Sequence, residues 1–344
     1  PLYNIKTAAH TYNNFLTTAV LFEKQRKREA VLWQKQRKRE AVRHNREEKW
    51  RDNMKEINQQ SLRGERALFD THDARISFCT FEDGESPLKE SSDLEIDNCL
   101  FKWKYPLWYT KNVTIKNSTL FEMARAGIWY VDNISVSDTV IEAPKNFRRA
   151  KGIRLKNVSF PNASETLWNC QDIEMNQVTA KGDYFAMNCK NVKAENFTLV
   201  GNYSFDGGEN IEIRNSRMLS RDSFWNADHV TVYDSFISGE YLGWISKNIT
   251  LINCTIESLQ GMCYIDNLVM KNCRLMNTNL AFEYSQADVE IVGQVDSVFN
   301  PKGGIIKADR IGELIMDGRR VKIDQTGIQA GEIGKPSDRA QWEL

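Results

Sequence analysis

The chain has 344 residues, with 46 Lys and Arg balanced by 46 Asp and Glu, and a mean hydropathy of −0.53. It is long enough for a sizeable core plus an appendage, and it has no apolar run long enough to cross a bilayer as a helix. Seven cysteines, an odd number, suit a reducing compartment. Pro1-Leu2-Tyr3-Asn4 does not open a secretory leader, so a cytoplasmic location is expected.

The neutral balance hides an asymmetry. Residues 1–66 hold 16 Lys and Arg against 8 Asp and Glu, which leaves 30 against 38 in the remainder. From about Thr7 to Gln60 there is no Gly or Pro, and good helix formers abound. A long, charged, basic α-helical arm is predicted over residues 1–64, ended by Gly64. Inside it, Lys24-Gln25-Arg26-Lys27-Arg28-Glu29-Ala30-Val31 recurs as Lys35-Gln36-Arg37-Lys38-Arg39-Glu40-Ala41-Val42. Eleven residues are about three helical turns, so the two patches return to nearly the same face. Arg26, Lys27, Arg28, Arg37, Lys38 and Arg39, with Trp33 between them, are the candidate partner-binding residues. Clustered cations suit an acidic surface. The interspersed Glu29, Glu40, Glu47 and Glu48 favour a protein surface over nucleic acid or lipid. The plainer readings are a solvated helix, or one packed along the rest of the chain.

Beyond the arm, a repeat of about 19 residues begins at Asp73, Asp93, Asn112, Asn133, Gly152, Asp172, Asn191, Asn210, His229, Asn248 and Asn267. Most units open as in Asn210-Ile211-Glu212-Ile213-Arg214-Asn215: two apolar residues in alternation, then a bend residue. A further apolar residue follows, among them Leu120, Phe160, Leu199, Met218 and Ile256. No unit can bury its own face, so the units must stack on one shared core. The units carry no helical stretch, which excludes a leucine-rich repeat. The predicted fold is all-β, a right-handed parallel β-helix of ~19-residue coils over residues 65–324, followed by a polar tail over 325–344. Cys79, Cys99, Cys254 and Cys273 share one offset and are expected as buried free thiols in an inward ladder. His229 replaces the usual Asn and is expected at a bend. Sequons such as Asn112-Val113-Thr114 fall out of the repeat formula and are not read as glycosylation sites.

Four stretches carry a resemblance. They are Phe81-Glu82-Asp83-Gly84-Glu85-Ser86-Pro87-Leu88, Phe101-Lys102-Trp103-Lys104-Tyr105-Pro106-Leu107-Trp108-Tyr109, Lys181-Gly182-Asp183-Tyr184-Phe185 and Ser238-Gly239-Glu240-Tyr241-Leu242-Gly243-Trp244. Through them, residues ~65–324 resemble an uncharacterised bacterial family of the pectin-lyase-like right-handed β-helix superfamily. The resemblance implies the fold and brings no activity. The arm lies outside it and, in texture only, is similar to charged helices of microtubule-associated proteins.

No acid/base or metal cluster of the polysaccharide lyase or glycoside hydrolase kind is visible, and none of the four histidines sits in a recognisable motif. No catalytic residue, metal or cofactor is therefore expected. One band of aromatic and acidic residues recurs late in successive units. It yields a candidate ligand groove of Asp183, Tyr184, Tyr203, Asp206, Asp222, Trp225, Tyr241 and Trp244, with Arg221 and Glu240 in the same band and Arg148 and Arg149 beside it. Such residues suit a sugar, although an aromatic ladder in a solenoid also serves packing. The expected function is that of a non-catalytic interaction protein, a rigid β-helix anchored by the arm in a larger intracellular assembly of the cytoskeletal or ciliary kind. Its expected partner is an acidic protein surface such as a microtubule lattice. The alternative is a carbohydrate-active β-helix enzyme or lectin.

Overall fold

The computed structural model describes residues 25–26, 28–38 and 53–337. The chain divides into two units, 1–55 and 56–344. In the first unit, Gln25, Arg26 and residues 28–38 are helical and exposed. Lys27, Arg39 and most of the predicted arm helix lie outside the described residues.

The second unit is a parallel β-solenoid of about 15 turns. Each coil opens with its longest strand, as in Lys190–Glu195, Glu209–Arg214, Asp228–Tyr233 and Lys247–Ile252. These pair in parallel at a step of one repeat, Val192 with Ile211, Ile211 with Val230 and Val230 with Ile249. Alternation decides which face is buried: Ile211 and Ile213 point inward at 2% and 0% exposure, while Glu212 between them points out. A short second strand follows, such as Arg217–Leu219, and then a tight third side. One continuous apolar core runs from Ile57 to Ile311.

Two predicted boundaries need correction. The arm was expected to stay helical to Gly64, but Lys55–Asn58 and Ser61–Leu62 are strands of the first coil. Leu62 pairs with Phe81, and Ile57 is buried in the core. Helix propensity at these positions is overridden by the free coil edge, which offers hydrogen bonds and an apolar face. The tail predicted from 325 is likewise a last coil. Thr326–Ser337 pairs with Gly303–Ile315, with Ile328 against Ile306. Its polar composition belongs to a strand whose residues are mostly exposed.

Each coil turns on left-handed residues. Asn191, Asn210, His229 and Asn248 at unit starts have φ of 56°, 55°, 55° and 53°. Asn tolerates this conformation and its amide can bond the neighbour one coil away. The Asn191 amide donates to Asp172 Oδ1 at 2.8 Å and accepts from Asn210 at 3.2 Å. His229 interrupts this ladder and turns its Nδ1 to Asp228 at 2.8 Å. Asn191→Ala should cost about 1–2 kcal/mol, since it loses both bonds and keeps the backbone strain. Asn191→Gly should cost roughly half as much, because Gly relieves the strain. Melting midpoints in the order wild type, Gly, Ala would bear this out.

All seven cysteines are free and buried. Cys79 lies against Cys99, and Cys254 against Cys273, as their shared offset predicts. The same inward column holds Ser118, Ser216 and Ser235, whose hydroxyls donate to the carbonyl two residues back at 2.6 Å. The four thiols do the same at 3.3–3.4 Å. Cysteine here is a corner residue that can replace serine. Burial pushes the Cys99 thiol up to about 11, so it is not a reactive thiolate.

Candidate functional site

The third side of each coil is where the aromatic and acidic residues collect. Every other residue there is left-handed, as at Asp222, Phe224 and Asn226 (φ 57°, 60° and 52°). This zigzag turns Ser223 and Phe224 inward and leaves Trp225 and Asn226 on the outer surface, with Asp222 covered between its neighbours. Side chains at equivalent positions therefore stand in columns along the rod.

One column runs Trp108, Trp129, Arg148, Trp168, Met187, Asp206, Trp225, Trp244, as the backbone register fixes. The Trp108 and Trp129 indoles stack at 5.2 Å, and Arg148 lies 4.8 Å from both the Trp129 and the Trp168 rings. The Trp108, Trp129 and Trp244 indole nitrogens donate to backbone carbonyls at 2.6–2.8 Å. Much of this column is packing, because rings face one another and polar edges are satisfied internally. The neighbouring column, three residues earlier in each coil, includes Tyr184, Tyr203, Asp222 and Tyr241. Tyr184 and Tyr203 stack at 4.9 Å, and Tyr241 meets Trp244 edge-on at 5.0 Å.

Two aspartates break these columns side by side. Asp206 stands in the tryptophan column beside Tyr203, and one coil on Asp222 stands in the tyrosine column beside Trp225. The four residues form a checkerboard, with rings on one diagonal and carboxylates on the other. Asp222 is 3% exposed. Burial raises its pKa, Arg221 opposes the rise at 3.0 Å, and the charge of Glu240 adds to it. Burial also raises the pKa of Asp206, and the charge of Asp222 raises it further. Arg221 also bonds Tyr203. Behind the board, the Ser204 hydroxyl bonds those of Ser220 and Ser223 at 2.8 and 2.9 Å.

All eight groove candidates thus lie on four successive coils of one side. Asp183 is at the edge, where it accepts bonds from the Asn202 backbone and amide at 2.8 and 3.2 Å. Arg149 is exposed next to the tryptophan column. Two open furrows, of about 470 and 560 Å³, lie elsewhere, on the long-strand face beside Arg154, Glu174, Lys193 and Glu212. No Phe, Tyr or Trp side chain lines them, Arg154 pairs with Glu174 at 3.7 Å, and Glu212 pairs with Arg214 at 2.9 Å. The checkerboard has both rings and strained charge, so it is the stronger candidate. Among the described residues, no group of three or more His, Cys, Asp or Glu is placed to hold a metal ion. Nor is any helix among them long and apolar enough to cross a membrane.

Residues 55–329 match the family described as "Protein of unknown function (DUF3737)". The chain belongs to this family. No curated protein matches it. Among solved structures, the DUF3737 chain is similar to a mutant tailspike protein of E. coli bacteriophage HK620 in complex with a pentasaccharide (7% identity, 82% of this chain and 72% of that one, TM-score 0.34). It is also similar to PfbA, a surface adhesin of Streptococcus pneumoniae (8%, 83% and 85%, 0.33), and to a mutant of the periplasmic alginate epimerase AlgG (9%, 82% and 75%, 0.26). At these values the likeness is one of winding and goes no further.

The residues of the band are legible in the sequence, but their arrangement is not. That Asp206 stands between Met187 and Trp225, and Asp222 between Tyr203 and Tyr241, appears only when the coils are aligned to the residue, and coil lengths vary by a residue or two. The raised acids of this DUF3737 site have a measurable consequence. A carboxyl whose folded pKa lies above its unfolded one loses stabilisation as pH rises through the folded value. Asp206→Asn should therefore raise the melting midpoint near neutral pH, by on the order of 2 °C. The gain should vanish near the ordinary carboxylate pKa of about 4, where Asp206 is itself protonated. A pH series of thermal melts on both proteins checks this.

Proposed function

We propose that the protein is a carbohydrate-binding β-solenoid whose ligand lies on the checkerboard of Tyr203, Asp206, Asp222 and Trp225. One observation carries this reading: two desolvated carboxylates, Asp206 and Asp222, stand diagonally next to each other among the rings of Tyr203, Trp225 and Tyr241. A ladder that served packing alone would gain from a ring at each position, whereas Asp206 is held against burial and the charge of Asp222, and Asp222 against burial and the charge of Glu240. Such perturbed acids collect at functional sites. Ring faces with carboxylates and amides beside them are also what a sugar's apolar and hydroxyl surfaces need. Two carboxyls, one of them kept protonated, are the minimum for glycoside hydrolysis as well, so the test reads both binding and cleavage. The full chain is run by affinity electrophoresis through a panel of neutral, amino and acidic polysaccharides, with a reducing-end assay alongside. Retardation by at least one polysaccharide, lost in the Tyr203→Ala/Trp225→Ala variant, is expected. Retardation by none, or retardation unchanged in the variant, overturns the reading.

A second reading rests on the helix at 28–38. Val31, Leu32 and Trp33 are 51%, 64% and 62% exposed, and the Arg37 guanidinium lies 5.5 Å from the Trp33 ring. Arg26, Arg28 and Lys38 are exposed around them. Exposed Trp with Arg is the composition of interface hot spots. In this reading the basic helix anchors the rod on an acidic protein surface in the cytoplasm, of the kind a microtubule lattice presents. Co-sedimentation should then fall with salt and in an Arg26→Glu/Arg28→Glu/Arg37→Glu variant. Salt-independent binding that survives this charge reversal would refute it.

A further inference from the structure

We infer that the checkerboard is selective for saccharides carrying a free amino group; this rests on the carbohydrate reading above. Three columns cross the site over four coils: Asp183, Asn202, Arg221 and Glu240; Tyr184, Tyr203, the covered Asp222 and Tyr241; and Met187, Asp206, Trp225 and Trp244. They contain four carboxylates and one cation, and that cation is already committed to Asp222 and Tyr203. The next column, Asn188, Gly207, Asn226 and Ile245, adds no charge. The site is therefore electronegative and partly desolvated, which repels uronates and sulfated sugars. It has no cationic side chain free to receive an acid group.

The chain itself shows what fits between these rungs. Three coils before Asp206 in the tryptophan column, Arg148 sits between the Trp129 and Trp168 rings at 4.8 Å from each, with Glu165 at 3.1 Å. That is a cation held by aromatic faces and one carboxylate. The checkerboard has the same elements, rings of Tyr203 and Trp225 and carboxylates of Asp206 and Asp222, but its one cation, Arg221, pairs with Asp222, so Asp206 stands next to Trp225 in the column with no cation of its own. Ammonium over an aromatic face and beside carboxylates is favourable, more so where water is excluded. It would also relieve the repulsion by Asp222 that helps raise Asp206. An N-acetylated sugar offers the same ring face without the charge.

Calorimetric titration of the full chain with three oligomers decides the matter: glucosamine, N-acetylglucosamine and galacturonate chains of equal length, in mildly acidic buffer. Glucosamine oligomers should bind about tenfold more tightly than their N-acetylated counterparts, with galacturonate weakest. Asp206→Asn/Asp222→Asn should reduce that preference to within about twofold. Glu174→Gln/Glu212→Gln, on the long-strand face, should leave it intact, which separates this site from general attraction of a cationic oligomer to acidic surface. Equal affinity for the first two oligomers, or a preference that survives Asp206→Asn/Asp222→Asn, overturns the inference and leaves the carbohydrate reading standing. Failure of every oligomer and every polysaccharide to bind overturns both.

Discussion

Phe205→Ala should lower the stability of the rod by about 3–5 kcal/mol, the range for removing a buried aromatic ring. Phe205 is 0% exposed. Its ring lies 6.2 Å from Phe185 and from Phe197, both edge-on, and 5.5 Å from Phe224 in a stack. These four rings come from three successive coils, so the cavity would open between coils rather than inside one. The residue also stands between Ser204 and Asp206, directly under the checkerboard. Loss of the ring should loosen the left-handed zigzag that turns Tyr203 and Asp206 outward, and ligand retardation should weaken with it. Phe205→Leu, which keeps most of the volume, should cost far less, about 1–1.5 kcal/mol. Denaturant unfolding of both variants measures the difference. A cost below about 1 kcal/mol for Phe205→Ala would show that the neighbouring rings close the gap, and that inter-coil ring stacking is not what holds this segment.

Gly239→Ala should be nearly as damaging, at about 3 kcal/mol or more, the upper end for overpacking. A Cβ at this position would fall on the Ser220 carbonyl and within 2.7 Å of the Arg221 nitrogen. Both are backbone of the preceding coil, so no rotamer change relieves the clash. The coils would have to separate where Ser220 donates to the Ser238 carbonyl at 2.8 Å and Gly239 to that of Glu257 at 3.0 Å. Gly182, Gly201 and Ser220 occupy the same column on the three preceding coils, all small. The same strain would shift Arg221, Asp222 and Glu240 apart, so the variant should lose ligand affinity even where it remains folded. Thermal melts and the calorimetric titration together test this. A folded Gly239→Ala protein with wild-type stability would mean that the coils have slack that the close backbone approach does not suggest.

The resemblance drawn from residues ~65–324 agrees with the fold in its coiled, parallel β architecture, and the repeat alone was sufficient for that. Asn210-Ile211-Glu212-Ile213-Arg214-Asn215 and its equivalents state a two-residue alternation and a bend at fixed spacing, and both are local properties of the backbone. The cysteine column was legible for the same reason, since equal offsets in a solenoid mean equal positions. The ends were not. Residues 55–62 carry a helix-compatible composition and residues 326–337 a polar one, yet both join the sheet because an adjacent coil offers an unpaired edge.

The candidate site divides along the same line. By itself the sequence determined that Tyr203, Asp206, Asp222 and Trp225 belong to one recurrent aromatic and acidic band, because position within a coil is a matter of counting. Only the tertiary structure decided which of them stand beside which. Tyr203 and Asp222 are 19 residues apart in the chain and adjacent in their column. Asp206 and Asp222 meet across a diagonal, where burial acts on both, the charge of Asp222 acts on Asp206 and that of Glu240 on Asp222. Contact across coils depends on the register to a single residue, and insertions of one or two residues per coil move that register without disturbing the apolar pattern. Desolvation likewise exists only once neighbouring coils cover a side chain, which is why the acids' strained state had no signature in the sequence.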